Sequence, residues 1–352
     1  MLTAMWPALL CVFTLILGVV YFVMRASRYH PTIPKGSQDV PVIAHRMPVV
    51  QHAKILSQEE SRILDFFRET TDRYGDIWKI YLPTTFVNKP KAIVFTCNPE
   101  ILQVVLSTGF KQDLFAKGKD SAVQYKEFLG DGIFTSNGDR WKRIREFASS
   151  LFHVGSLKQY VDIFDVNAKN LFRSIEKLQQ NDTVAAQGID MQDYFMRYTL
   201  DAFSEIGFGI RINSMTEEVN HFALAFDDVQ LHTMLRSSTG PFLWKVIEKL
   251  SPPKAFQASL AYMNNYVHTI IQERKNDSKE KLQERGDLIS RLLSVKDSEF
   301  AATDDDLRDF VMNFLIAGRD TTAVLLTWCV YLLSLHPEVE KKLLKEFDDV
   351  IG

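Results

Sequence analysis

The chain has 352 residues, 46% of them hydrophobic and 24% charged, with a net charge of -3. That balance excludes a disordered chain and leaves no basic footprint for nucleic acid as a partner. Its three cysteines, Cys11, Cys97 and Cys329, are too few and too far apart for a disulfide framework or a zinc cluster.

From Met1 to Met24 there is no charged side chain. About 20 apolar residues suffice to cross a bilayer as a helix, so residues 1–24 are expected to form a transmembrane anchor. Arg25, Arg28 and Lys35 follow and place the C-terminal side on the cytoplasmic face. A cleaved signal peptide would carry a basic start, a shorter apolar core and small residues at its end, and this segment has none of them. Residues 25–45 read as a basic, Pro-rich linker, with Pro31, Pro34 and Pro41 stiffening it. Two sequons begin at Asn181 and Asn276. In a cytoplasmic domain neither meets the glycosylation machinery.

Residues 46–352 read as one large, mainly helical domain with a small β element near its start. Tyr74–Leu82 and Lys91–Cys97 have strand character, separated by a turn-rich segment. Asn98 and Pro99 then suit the cap and first position of a helix. Further helices are expected over about 138–152, 156–179, 190–207, 216–237, 254–275, 286–294, 303–335 and 337–350.

The helix expected over 303–335 carries an anomaly. Inside its apolar run stand Ala317, Gly318, Arg319, Asp320, Thr321 and Thr322. Glycine in a helix interior costs about 1 kcal/mol relative to alanine, and Asp and Thr are weak helix formers. Local rules broken together in this way mark candidate functional positions. Ala317 and Gly318 present almost no side chain, so a flat group could lie against the backbone there. Thr321 would place a hydroxyl at the edge of that step, with Asp320 beside it as a proton source. The residues alone leave a second reading open. In it Gly318 admits a neighbouring helix, Thr321 bonds the carbonyl of residue 317 and Asp320 pairs with an arginine.

A second feature lies in LGDGIFTSNGDRWKRIREF, residues 129–147. Trp141 and Arg145 are i and i+4 on the helix that follows Asn137, so they share a face. An indole N–H beside a guanidinium suits a carboxylate. An ordinary amphipathic helix would also account for them.

Taken together, these stretches resemble the cytochrome P-450 family. Its distal-helix motif, (A/G)-G-x-(D/E)-T-(T/S), is matched by residues 317–322, and its W-x-x-x-R motif by Trp141 and Arg145. The anchor, the Pro-rich hinge, the early hairpin and LGDGIF fall in the family's order. The resemblance implies a P-450 fold, mainly α with a small β element. It also implies haem b held by its propionates on Trp141 and Arg145, with Ala317 and Gly318 against the macrocycle. Asp320 and Thr321 would be catalytic, delivering protons to dioxygen. AGRDTT and LGDGIF look most like the fatty-acid omega-hydroxylase clan. That implies a lipophilic substrate, electrons from NADPH through cytochrome P-450 reductase and a single-pass place in the endoplasmic reticulum membrane. Lys142 and Arg143 could help dock the reductase, although a solvated basic face is the more ordinary reading of two such residues, and substrate contacts would come from 113–130 and 205–255.

The chain departs from the family after Gly352, where an E-x-x-R helix and the loop bearing the axial cysteine are expected. Glu59-x-x-Arg62 precedes the distal helix and is a chance match. No cysteine substitutes for the missing ligand: Cys11 is in the anchor, Cys97 lacks the loop's glycine and arginine, and Cys329 follows Thr321 on one helix. As written, the chain is expected to be an inactive fragment of a monooxygenase. The alternative is a non-catalytic, membrane-anchored helical scaffold.

Overall fold

The computed structural model describes residues 40–43, 53–82, 91–109, 114–150, 152, 154–217, 219–239, 243–294 and 303–350. The anchor at 1–24, and all of the linker except 40–43, lie outside the described residues. Among those described, no single helix is long and apolar enough to cross a membrane. The chain divides into two compact units, one of Met1–Ala116 with Ser238–Ser251 and one of Lys117–Ser237 with Pro252–Gly352.

In the first unit, α1 (Ala53–Gln58) and α2 (Ile63–Tyr74) precede strands β1 (Ile77–Leu82) and β2 (Lys91–Thr96), which α3 (Pro99–Gln103) follows. The strands pair antiparallel, with Trp78 opposite Phe95. Those two rings stack with centroids 4.3 Å apart, and Phe67 packs on both. The hairpin thus has one apolar face, covered by α2. The expected cap holds: Asn98 Oδ1 accepts from the N–H groups of Glu100 and Ile101 at 3.0 and 3.1 Å, which satisfies two of the helix's free donors.

The second unit begins with α4 (Lys119–Leu129), α5 (Gly138–Ser150), α6 (Val154–Gln179), α7 (Asp182–Gln187) and α8 (Met191–Phe208). The chain continues through α9 (His221–Thr239), α10 (Leu243–Leu250), α11 (Lys254–Lys275), α12 (Lys279–Arg285), α13 (Leu288–Ser294), α14 (Asp304–Leu335) and α15 (Pro337–Val350). Of these, α10 belongs to the first unit. The mainly helical class is as expected, and most of the long helices lie within a few residues of their expected spans; α9 begins five residues after 216. The sequence reading passed over α1, α2, α4, α7, α10 and α12, several of them a single turn or two with weak apolar periodicity.

Helix α14 is the axis of this unit. Thr303 and Asp306 form a reciprocal capping box at its start, and Asp304, Asp305 and Asp306 add negative charge at the positive end of the helix dipole. It ends before His336-Pro337, as proline disfavours helix in the residue before it. Its first half is buried against α8, with α11, α13 and α4 also packed on it. Leu200, Phe208, Phe226, Met263, Val311 and Met312 form the centre of the core, each at most 0% exposed. The second half is open: Leu325 is 68% and Trp328 57% exposed.

Candidate functional site

The site begins where the buried half of α14 gives way to the open half. Ala317 and Thr321, one turn apart, are both exposed, whereas Gly318 and Arg319 are buried and Asp320 is half-buried. The open step continues through Val324, Leu325 and Trp328, an i, i+4, i+7, i+8, i+11 series that stays on one face of the helix. The result is a narrow small-residue shelf leading into a broad apolar surface.

The six-residue string is thereby divided among three directions. Gly318 faces α8, and a Cβ at that position would collide with the ring of Phe203. Its lack of a side chain is what lets α8 approach. Phe203 is then held between Phe164 and Phe314, with ring centroids 6.0 and 5.8 Å away. Thr321 faces the shelf, and its hydroxyl donates to the Ala317 carbonyl at 2.6 Å. This keeps the oxygen's lone pairs toward the opening and satisfies the proton locally.

Asp320 faces α9. Its carboxylate accepts from Gln230 Nε2 and lies 3.4 Å from Arg319 Nη1. Arg319, 4% exposed, lies 4.8 Å above the Phe226 ring and donates through Nη2 to Asp227 Oδ1 at 2.6 Å. Burial pushes the Asp320 carboxyl above the ordinary carboxylate value, against the opposing pull of Arg319 and Gln230. Asp227 is largely exposed. The half-buried acid beside Thr321 therefore has a continuous polar connection to the surface. Asp227 and Gln230 gave no sign in the sequence, since a polar residue on an amphipathic helix reads as solvated face.

The second expected pair sits on α5, which packs along the same side of α14. Phe147 meets Phe310 edge-on at 5.5 Å, and Phe152, just past the helix, meets Phe314 at 6.1 Å. Arg140 pairs with Asp306 at 2.6 Å. Trp141 is half-buried and Arg145 exposed. No hydrogen bond or ion pair engages the Arg145 guanidinium among the described residues, so it remains available to an anion. Lys117 was not anticipated. Its ammonium donates to the carbonyls of Ile133 and Ser136 and lies 5.7 Å from the Trp141 ring centroid. Burial pulls its pKa below the usual lysine value.

Neither described cysteine joins these groups. Cys329 is exposed on α14 itself, eight residues beyond Thr321 or about 12 Å along the axis. Cys97 lies beside Asp76, its Sγ 3.7 Å from the carboxylate. No cluster of three metal-ligating His, Cys, Asp or Glu side chains exists among the described residues.

Comparison with known proteins bears on the family and the fold. The family model described as cytochrome P-450 matches residues 41–352. The chain is 32% identical to cytochrome P-450 704C1 of Pinus taeda over 81% of its length and 55% of that protein's. With cytochrome P-450 94A2 of Vicia sativa the identity is 30%, covering 93% of this chain and 63% of the relative. The solved haem domain of cytochrome P-450DA superposes with a TM-score of 0.68 at 25% identity, over 86% of this chain and 62% of that one. The chain thus spans between about half and two-thirds of the length of these relatives. A match over nearly all of the helical region, in sequence and in fold, shows that the chain belongs to the cytochrome P-450 family.

Proposed function

We propose that this chain supplies the distal side of a haem pocket, in a monooxygenase that hydroxylates a lipophilic substrate. The observation that carries this reading is the pairing of two open features on adjacent helices. Ala317 and Thr321 form a small-residue shelf on an otherwise buried stretch, and Arg145 offers an uncommitted guanidinium from α5. A flat apolar group bearing carboxylates fits both. Ala317 would lie against its face, and Gly318 would contribute by letting α8 seat α14 closely. Trp141 and Arg145 would hold the carboxylates by charge-assisted hydrogen bonds. When bound, haem supplies the chemistry of dioxygen activation.

The chain's own residues then handle protons and water. Thr321 holds a hydroxyl at the shelf, one rotation away from its bond to Ala317. Asp320, raised in pKa by burial, holds a proton more readily than a solvated carboxylate does. Arg319, Gln230 and Asp227 connect it to the surface. The Phe203 ring fills the space that Gly318 leaves between α8 and α14. Cys329, about 12 Å along α14 from Thr321, and Cys97 are not assigned as iron ligands.

The likeness of AGRDTT and LGDGIF to fatty-acid omega-hydroxylases supports a long-chain fatty acid as substrate. The uncharged run over 1–24, followed by Arg25 and Arg28, supports an anchor in the endoplasmic reticulum membrane, with residues 46–352 facing the cytoplasm. NADPH–cytochrome P-450 reductase fits that placement as electron donor. Arg145→Ala tests the pocket. Losing one charge-assisted contact of about 1.5–3 kcal/mol should weaken haem retention roughly tenfold or more. Haem content and loss rate in the intact protein measure it, and wild-type retention in the variant would remove Arg145 from the site.

A further inference from the structure

The segment LGDGIF, residues 129–134, stands immediately before α5 and accepts the Lys117 ammonium at its Ile133 carbonyl. It is bound to α14 through its backbone. Asn313, 2% exposed, donates through Nδ2 to the Leu129 carbonyl at 2.7 Å and accepts the Phe134 N–H on Oδ1 at 3.1 Å. Its second amide proton is engaged by the Asp309 carbonyl at 2.7 Å. Asp309 Oδ2 accepts the Asp131 N–H at 2.7 Å, and Arg308 occupies its Oδ1 at 2.9 Å. One turn earlier on α14, Asp306 holds Arg140, whose Nε also donates to the Asp131 carbonyl at 3.0 Å. Asp306, Asp309 and Asn313 are spaced i, i+3, i+7 and lie along one stripe of the helix.

The two glycines of the segment are demanded by this stripe. A Cβ on Gly130 would collide with the Asp309 carboxylate, and one on Gly132 with the Asn313 carboxamide. Gly130 also has a φ of +57°, which non-glycine residues rarely adopt. The backbone is therefore read at successive points, with both Asn313 amide protons and both Asp309 carboxylate oxygens engaged. Ring contacts such as Phe147 on Phe310 tolerate sliding. A slip here would leave several buried polar groups unpaired at once, and fixing register is the best-attested use of buried polar groups.

We propose that Asp309 and Asn313 are positioning residues. They lock α5 in register on α14, and so set where Trp141 and Arg145 stand relative to the Ala317–Thr321 shelf. The consequence for the cofactor rests on the reading of those two pairs as a haem site. The positioning itself does not.

The test uses Asn313→Ala, Gly132→Ala, their combination, and Asn313→Asp, which keeps the acceptor for Phe134 but loses both donors, to Leu129 and to Asp309. Hydrogen exchange on the haem-free protein is followed at Asp131, at Phe134 and through α5, with α8 as internal reference. Haem loss from the intact protein is followed separately by transfer to an apoglobin acceptor. Asn313→Ala should speed exchange at Phe134 and in α5 roughly tenfold, with α8 unchanged, and should speed haem loss by a similar factor. Gly132→Ala should do the same, because its methyl displaces the carboxamide. The double variant should be no worse than either single one, since truncating Asn313 removes the collision. Asn313→Asp should be at least as fast as alanine, since it sets a buried carboxylate oxygen against the Leu129 and Asp309 carbonyls. Unchanged exchange in α5, or additive single effects, would overturn the positioning role. Faster exchange in α5 with unaltered haem loss would keep the lock but refute its reach to the cofactor. A wild-type protein that retains no haem would instead sink the haem reading, while the exchange data still decide the lock.

Discussion

Asp320 is the residue whose surroundings say most about the chemistry. Desolvation raises its pKa, and the groups facing it are Arg319 on its own helix with Gln230 and Asp227 on α9. A carboxyl raised above its unfolded value stabilises the folded state at low pH. That contribution is lost as pH rises from the ordinary carboxylate range, about 3.9, through the folded pKa. Asp320→Asn should therefore flatten the fall in stability over that interval without lowering stability at neutral pH. Asp201 and Asp309 shift in the same direction for the same leading reason, so the informative quantity is the difference between the variant and wild-type curves from chemical denaturation at several pH values. Parallel curves would mean that Asp320 carries no such strain. At this scale the sequence marked these residues as unusual in a helix but not which way they point. Ala317 and Thr321 were legible as a step because small and hydroxylated residues interrupt an apolar run. That Gly318 turns to Phe203 and Asp320 to Gln230 depends on partners about 115 and 90 positions away, and no local pattern encodes them.

Among the elements, α14 organises the rest, and the α8–α14 packing depends on one missing side chain. Gly318→Ala should destabilise the protein by about 1–3 kcal/mol through overpacking against Phe203. Gly155→Ala on α6, where a Cβ meets nothing within 4 Å, should instead be neutral or stabilising by up to about 1 kcal/mol. Thermal or denaturant unfolding of the two variants separates a glycine required by packing from one merely tolerated. Equal effects would mean that α8 can retreat. The long helices were readable because strong apolar periodicity, caps and prolines agree; α14 begins at its Thr303 box and stops before Pro337 as its residues dictate. Short helices such as α7 and α12 were not, because six or seven residues carry too little pattern. The grip of Asp309 and Asn313 on LGDGIF left a trace, two polar side chains i and i+4 in a buried run, but their partner was not specified.

For the molecule as a whole, the family assignment and the open surfaces belong together. Residues 41–352 match the cytochrome P-450 family, and the site lies where α14 passes from fully packed to exposed. Beyond the shelf, Leu325, Trp328, Tyr331, Leu332 and Leu335 are exposed, and Leu344, Phe347 and Val350 on α15 likewise. An apolar surface of this extent marks a face built to be covered. The shelf borders it, so a flat apolar group at Ala317 would extend this apolar surface. On the reading proposed above, Thr321 supplies the hydroxyl at its edge.

The most direct test of that claim is the coupling ratio of Thr321→Ala. The protein, in membranes supplied with NADPH–cytochrome P-450 reductase and dodecanoic acid as donor and substrate of the proposed reaction, is assayed for NADPH and oxygen consumed against hydroxylated acid formed. If Thr321 delivers protons at the shelf, the variant should keep consuming NADPH and oxygen while hydroxylated product falls roughly tenfold or more, within the range by which a positioned proton donor aids catalysis. Product per NADPH equal to wild type would contradict the assignment of this face of α14 as the site of oxygen chemistry.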